Sequence, residues 1–450
     1  MKHCLPMLQL LLLLLLLLAS PAWATCYKVV AVGTATTTAL DQIRPGEGTA
    51  AFWDGACDTC SGSLGLPSVV NVSDPGFQPY PALLASAVVP ATRYSSPAGY
   101  DAERVLFRCA AADPVYEMYS TNADNLFSGW YNGGDSVGNS VGLQAAYRTA
   151  WPNVLLRLTH VESGRYFTDV WGERLLSGLD TDSRGFKLVK AKNLSAVRAE
   201  LFSAPSESTY YYAPVASQLY GYTQPAAYIA IKGPGLSYPT VGQTHYGNYS
   251  GWYAYWPAAI SLYGNVTLKR QPTCAILNVT PQVVFPSMSI AELNAGASRE
   301  ASFQVGFKCQ TGTTSSTAVN GTSLGVKVSA GARAAAASLG LVNANGGVSH
   351  LLSDRYGEAG MAKGVGIRIL RGGSTINLLG DENSSAGVNA QAHGWYPAVG
   401  ASSNAVSSSA GVTQYSETFG ARMEKIDAGT RPEVSAGRVE ATAQIIIRVQ

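Results

Sequence analysis

Few residues in this 450-residue chain could do chemistry, and most of those point to cross-linking and binding. Of seven cysteines, Cys4 lies in an apolar N-terminus, Cys26, Cys57, Cys60 and Cys109 form an early group, and Cys274 and Cys309 stand alone late in the chain. Even numbers in the last two groups favour disulfides if the chain is exported. Four early cysteines allow three pairings, all of which stay open. Cys274 and Cys309, isolated from the others, are expected to bond to each other. The Cys57-Asp58-Thr59-Cys60 spacing suits a redox pair, but no βαβ pattern surrounds it, and His160 and His245 lie far off in sequence for a zinc site. The string Ser-Gly-Trp-Tyr occurs twice, at 128–131 and 250–253. Flat aromatic faces stack on the apolar faces of sugar rings while amides and carboxylates take the hydroxyls. Trp130, Tyr131, Trp252, Tyr253 and Trp256 are therefore the candidate carbohydrate site; the competing reading makes them core aromatics or hairpin anchors. Tyr210-Tyr211-Tyr212 poses the same choice. Asp124 and Asp135 lack the spacing of a calcium loop, and neither a metal nor a cofactor is expected. The chain has no Gly-x-Ser-x-Gly elbow, no His-Glu-x-x-His helix, no phosphate loop and no dinucleotide fingerprint, so it is not expected to be an enzyme. A glycosidase needs only two carboxylates and remains the rival class.

The elements that must position these residues read as β-strands. Charged residues are only 13% of the chain, and Gly is frequent at 47 residues. Lys2 and His3, the leucine run from Leu10 to Leu18 and the small residues of Ala22-Trp23-Ala24 read as a signal peptide over 1–24. Removing it takes Lys2 from the 31 cations and leaves 30 against 29 anions, which gives no reason to expect nucleic acid as a partner. A polar, proline-bearing stretch at 269–273 reads as a linker between domains at 25–268 and 274–450. Six of the seven tryptophans after residue 24 precede it. Val154, Leu156 and Leu158 alternate up to His160, and Arg165 begins a return strand after Glu162-Ser163-Gly164. Phe303, Val305 and Phe307 alternate into Cys309, as do Val365, Ile367 and Ile369 before Gly372-Gly373. Such patterning predicts all-β sandwiches, each strand with one buried and one wet face.

The end of the chain carries a family resemblance. After Gly437, Val439, Ala441, Ala443, Ile445, Ile447 and Val449 alternate with other residues to the last position but one. With Cys274, Val283-Val284-Phe285, Phe303–Cys309, Gly364–Leu370 and Phe419–Ile426 in order before it, this arrangement resembles subunits of chaperone–usher pili over nearly all of 274–450. It departs from the family at Val449, where an aromatic residue is usual.

The resemblance implies an incomplete immunoglobulin-like sandwich, with residues 439–449 as one lip of an apolar groove. It implies three partners: a periplasmic chaperone that lends a strand, an outer-membrane usher, and a neighbouring pilin subunit whose donor strand replaces the chaperone's. Cys26 follows the expected cleavage site almost at once, leaving no donor strand ahead of it. That places the subunit at the fimbrial tip of a Gram-negative cell, with the first domain as a receptor-binding adhesin and a carbohydrate as its receptor. A structural minor pilin and a secreted glycan-cleaving enzyme are the alternatives.

Overall fold

The structure, a computed structural model, describes residues 25–57, 59, 63–94, 99–130, 133–206, 210–384 and 387–450. The signal-peptide expectation at 1–24, Tyr131 and Cys60 lie outside the described residues, and the Tyr253 side chain is likewise not described. Strands dominate and the helices are short, so the protein is all-β. Among the described residues no helix is long and apolar enough to cross a membrane. The chain divides into two compact units.

The first unit gathers Met1–Gly65, Ser86–Ala213 and Gly221–Asn265. One sheet orders Cys26–Lys28, Val105–Cys109, Lys187–Lys190 and Asp180–Thr181; another orders Gly172–Leu175, Tyr116–Thr121, Ala227–Lys232 and Ala258–Ile260. Cys26 lies opposite Cys109 in the first sheet and is bonded to it. Cys57 is also in a disulfide. Val154–His160 and Arg165–Tyr166 form a hairpin with His160 opposite Arg165. The return strand stops at Tyr166, and Gly172–Leu175 pairs instead with Tyr116–Thr121.

Two buried charges show how this unit tolerates polar groups inside. Glu117, fully buried, accepts from Arg174 Nη2 at 2.6 Å, His160 Nε2 at 3.2 Å and Ser195 N at 3.0 Å. Arg108, equally buried, donates from Nε to Asp182 at 2.5 Å and lies 3.5 Å from the Phe186 ring centre. A buried ion without such partners would cost several kcal/mol.

The second unit takes Leu66–Ala85 and Pro214–Tyr220 together with Val266–Gln450. Lys269, placed at the start of the expected linker, ends the Thr267–Lys269 strand, which pairs with both Ser217–Leu219 and Val69–Asn71. The rest is a sandwich. One sheet orders Cys274–Val279, Arg299–Gln310, Val412–Lys425, Val365–Arg371 and Ser374–Thr375; the other orders Trp395–Pro397, Thr322–Val328 and Ala443–Val449. Cys274 sits opposite Cys309 and is bonded to it. Phe303, Val305 and Phe307 point inward from alternate positions, and Phe303 stacks on its cross-strand partner Phe419 at 5.3 Å. The last strand, Ala443–Val449, has a hydrogen-bonded neighbour on one side only. The sandwich is immunoglobulin-like, and among the described residues no second strand pairs with Ala443–Val449.

Candidate functional site: an apolar groove in the second unit

The last strand assigns its residues to two roles by parity. Leu379 N donates to Val326 O and Leu379 O accepts from Val328 N, so those two residues turn their backbones away from the last strand. Their neighbours Gly325 and Lys327 therefore face it, opposite Ile446 and Gln444. Upstream the parity continues: Arg438 N donates to Gly360 O, Glu440 O accepts from Asp354 N, and Thr442 N donates to Asp354 Oδ1. Even-numbered residues thus spend their backbone groups inward on the sheet, and the N–H and C=O of Val439, Ala441, Ala443, Ile445 and Ile447 face an open edge. Among the described residues no hydrogen bond reaches the backbone of Val439 or Ala441. Side chains alternate the other way. Val439, Ala441, Ile445 and Ile447 pack against the sandwich core, whereas Ile446 packs outside against Leu379, Ala390 and Trp395.

Gly437, at the head of this segment, is required by a close approach. A Cβ there would lie 2.3 Å from Ala362 N, where the backbone of 361–362 runs alongside. At the far end, Val449 is buried, and Lys269 Nζ donates to Gln450 O and Asn320 Oδ1 at 2.7 Å each. Arg448 lies over the Trp395 ring at 4.5 Å, and burial holds its guanidinium down to about 10.

A second open edge runs opposite. Beyond Cys274–Val279 the chain runs to Ser289 outside any strand, and among the described residues no hydrogen bond reaches 281–288. Pro281 and Pro286 have no N–H to offer, which suits an edge. Between the lips lies a groove of about 370 Å³, walled by Val279, Val283 and Phe285 on one side and by Val439, Ala441, Ala443 and Ile445 on the other. It continues past Val283, Phe285 and Val439 into a further space of about 560 Å³ beside Met288, Leu293 and Gly437. Its floor is the core itself. Phe303, Ile367 and Met423 keep 7–8% exposure, whereas Phe307 and Phe419, away from the groove, keep none. The opening therefore reaches the core.

What fits such a site is an extended segment with apolar side chains at alternate positions. It would meet unpaired N–H and C=O groups on both sides and bury its side chains on Phe303, Ile367 and Ile369. Sequence reasoning named the 439–449 lip but missed the 279–289 lip and the floor. The prolines flanking Val283-Val284-Phe285 were the available signal for the other edge.

The aromatic residues proposed for sugars separate in the structure. Trp256 is fully buried, T-shaped on Trp171 at 4.9 Å, with its Nε1 donating to Ser250 O at 3.0 Å. It is a core residue, which corrects its place in the candidate site. Trp252 is half-buried and packs on the same cluster, and Trp130 is half-buried, its Nε1 without a hydrogen-bond partner among the described residues. Among the described residues no group of three or more His, Cys, Asp or Glu could hold a metal.

Residues 260–450, which contain the groove, match the family model described as fimbrial protein. That stretch of the chain is therefore similar to fimbrial proteins. Among solved structures it is similar to the P pilus rod subunit PapA, at 13% identity over 39% of this chain and 99% of that one, with a TM-score of 0.23. It is also similar to the CupB6 tip adhesin from Pseudomonas aeruginosa, at 12% identity over 88% of this chain and 96% of that one, with a TM-score of 0.22. No curated protein sequence matches.

Proposed function

We propose that this chain is a fimbrial subunit, a two-domain tip adhesin of the chaperone–usher pathway. The observation that carries the anchoring half is the groove, open to the core and bordered by two unpaired backbone edges. A strand lent by a periplasmic chaperone fills it first, and the donor strand of the next subunit replaces that strand at an outer-membrane usher. The first unit, which makes up most of the expected 25–268 domain, then extends from the pilus at the cell surface and binds a carbohydrate receptor, with Trp130, Tyr131, Trp252 and Tyr253 as candidate contacts. Its separate compact core supports an independent task.

The test uses the whole chain with and without a synthetic 12-residue strand carrying Val or Ile at alternate positions. The expected outcome is a protease-resistant monomer only when the strand is present. Surfaces coated with that complex should then retain glycan-bearing cells. A chain that is monomeric and resistant without any added strand would overturn the donor-strand reading.

A further inference from the structure

The first unit exposes a second aromatic group that the candidate contacts above do not include. Three separate segments, 125–128, 210–212 and 222–224, converge there. Phe127 lies 5.9 Å from both Tyr211 and Tyr222, and Tyr211 lies 4.8 Å from Tyr222 and 4.9 Å from Tyr212. We propose that this group, with Tyr210, is a stacking platform for a neutral sugar ring. The inference rests on reading the first unit as receptor-binding, and it names the class of receptor.

Exposure is the first argument. Tyr211 is 56% exposed and Tyr210 44%, in a unit that buries Trp171, Trp256 and Tyr228 completely. Contiguous aromatic surface of this kind marks a contact site more often than chance exposure does. Ring geometry is the second. Tyr119 with His160 and Tyr228 with His245 lie face to face, at 18° and 9°, and so cover each other. The platform rings meet at 63–86°, edge against face, which leaves a face of an exposed ring uncovered.

Polar chemistry decides the occupant. None of the three segments contains Asp, Glu, Lys or Arg. The adjacent Asp124 carboxylate is occupied, accepting from Tyr249 Oη at 2.6 Å with His245 Nδ1 at 3.5 Å. These segments therefore offer no cation to an anionic sugar, a phosphate or an acidic lipid. What the rim offers is neutral and held in place. Asn125 Oδ1 accepts from Phe127 N at 3.1 Å and Ser128 Oγ at 3.0 Å, and the Asn125 side chain also bonds Tyr222. Gln224 Oε1 accepts from Asn122 Nδ2 at 3.2 Å. Burial pushes the Tyr212 and Tyr222 phenols up, so both remain neutral hydroxyls able to bond a sugar hydroxyl. Apolar faces beside fixed amides and phenols match a hexose, which has one apolar face and a rim of hydroxyls.

The experiment is saturation-transfer NMR on the whole chain held with the donor strand. The probes are the methyl glycosides of glucose, galactose, mannose and N-acetylglucosamine, with N-acetylneuraminic acid as the anionic control. At least one neutral glycoside should receive saturation on the C–H protons of a single ring face, and the acidic sugar none. Tyr211→Ala should weaken that binding about tenfold or more, and Tyr211→Phe should keep it within about threefold, because the ring face stays. Tyr211 is exposed, so both variants should fold; circular dichroism and intact disulfides check this. Binding unchanged by Tyr211→Ala, or binding of the acidic sugar alone, overturns the platform. Retention of cells that persists in Tyr211→Ala removes the platform and leaves the adhesin reading standing. A wild-type complex that retains no cells and binds no glycoside removes both.

Discussion

Replacing Ile445 with aspartate puts a charge where the groove expects a hydrocarbon. Ile445 lines the wall beside Val326 and is half-buried while the groove is empty, so a bound strand would cover what remains. Full burial of an isoleucine side chain contributes about 1.5–3 kcal/mol, which leaves roughly 1 kcal/mol of that for the strand. The aspartate must also lose its hydration when the strand docks, at an effective cost of several kcal/mol. The sum is about 4 kcal/mol or more, close to a thousandfold in affinity. A strand at 100 times its dissociation constant stabilises its target by about 2.7 kcal/mol. For a domain of this size that is a rise in melting temperature of roughly 5–11 °C. In Ile445→Asp the same strand concentration falls below the weakened dissociation constant, and the rise should vanish. Gln444→Asp, whose side chain is exposed and faces outward, should keep it to within about 0.5 kcal/mol. Thermal melts against strand concentration read both. Equal shifts in wild type and Ile445→Asp would refute the parity argument, and so would loss of the shift in Gln444→Asp.

Other perturbations address the scaffold. Arg371→Ala should destabilise the second unit by about 3–5 kcal/mol in urea melts, because it strands Glu417, a fully buried carboxylate held by Arg371 Nε at 2.6 Å; Arg371→Met with Glu417→Gln should recover part of that. Cys274→Ser with Cys309→Ser opens a 35-residue loop and should cost about 4 kcal/mol, with peptide mapping of the wild type as control. His350 is fully buried, and burial, with Arg368 nearby, holds its imidazole down to about 4. A base with a depressed folded pKa leaves its protons to the unfolded chain. Stability should therefore be full above about pH 6.5, fall by about 1.4 kcal/mol per pH unit toward pH 4 and then level off. His350→Gln should flatten that slope between pH 6.5 and 4.

What the sequence made legible was local and periodic. The β class was readable because Phe303, Val305 and Phe307, and later Val439 to Val449, repeat every second residue, a spacing only a strand places on one face. Residues 281–288 show no such period, because an edge interrupted by Pro281 and Pro286 is shaped by the absence of pairing. Trp252 and Trp256 could not be told apart, since core and surface use the same aromatic types; only the packing of Trp171 and Tyr228 buries one of them. Segments 66–85 and 214–220 join the second unit through strand pairs such as Val70 with Leu268, across nearly 200 residues of sequence, and no local pattern encodes that.

The prolines on one lip make the groove unequal as a template. A stray strand meeting the 281–288 edge finds no amide donor at Pro281 or Pro286, so its ladder is broken twice within six residues. The 439–447 edge contains no proline and presents its donors at every second residue without a gap. Unwanted pairing with another chain should therefore begin on that lip alone, and any guest strand should zip from it toward the proline side. Cross-linking or exchange protection during assembly should appear there first.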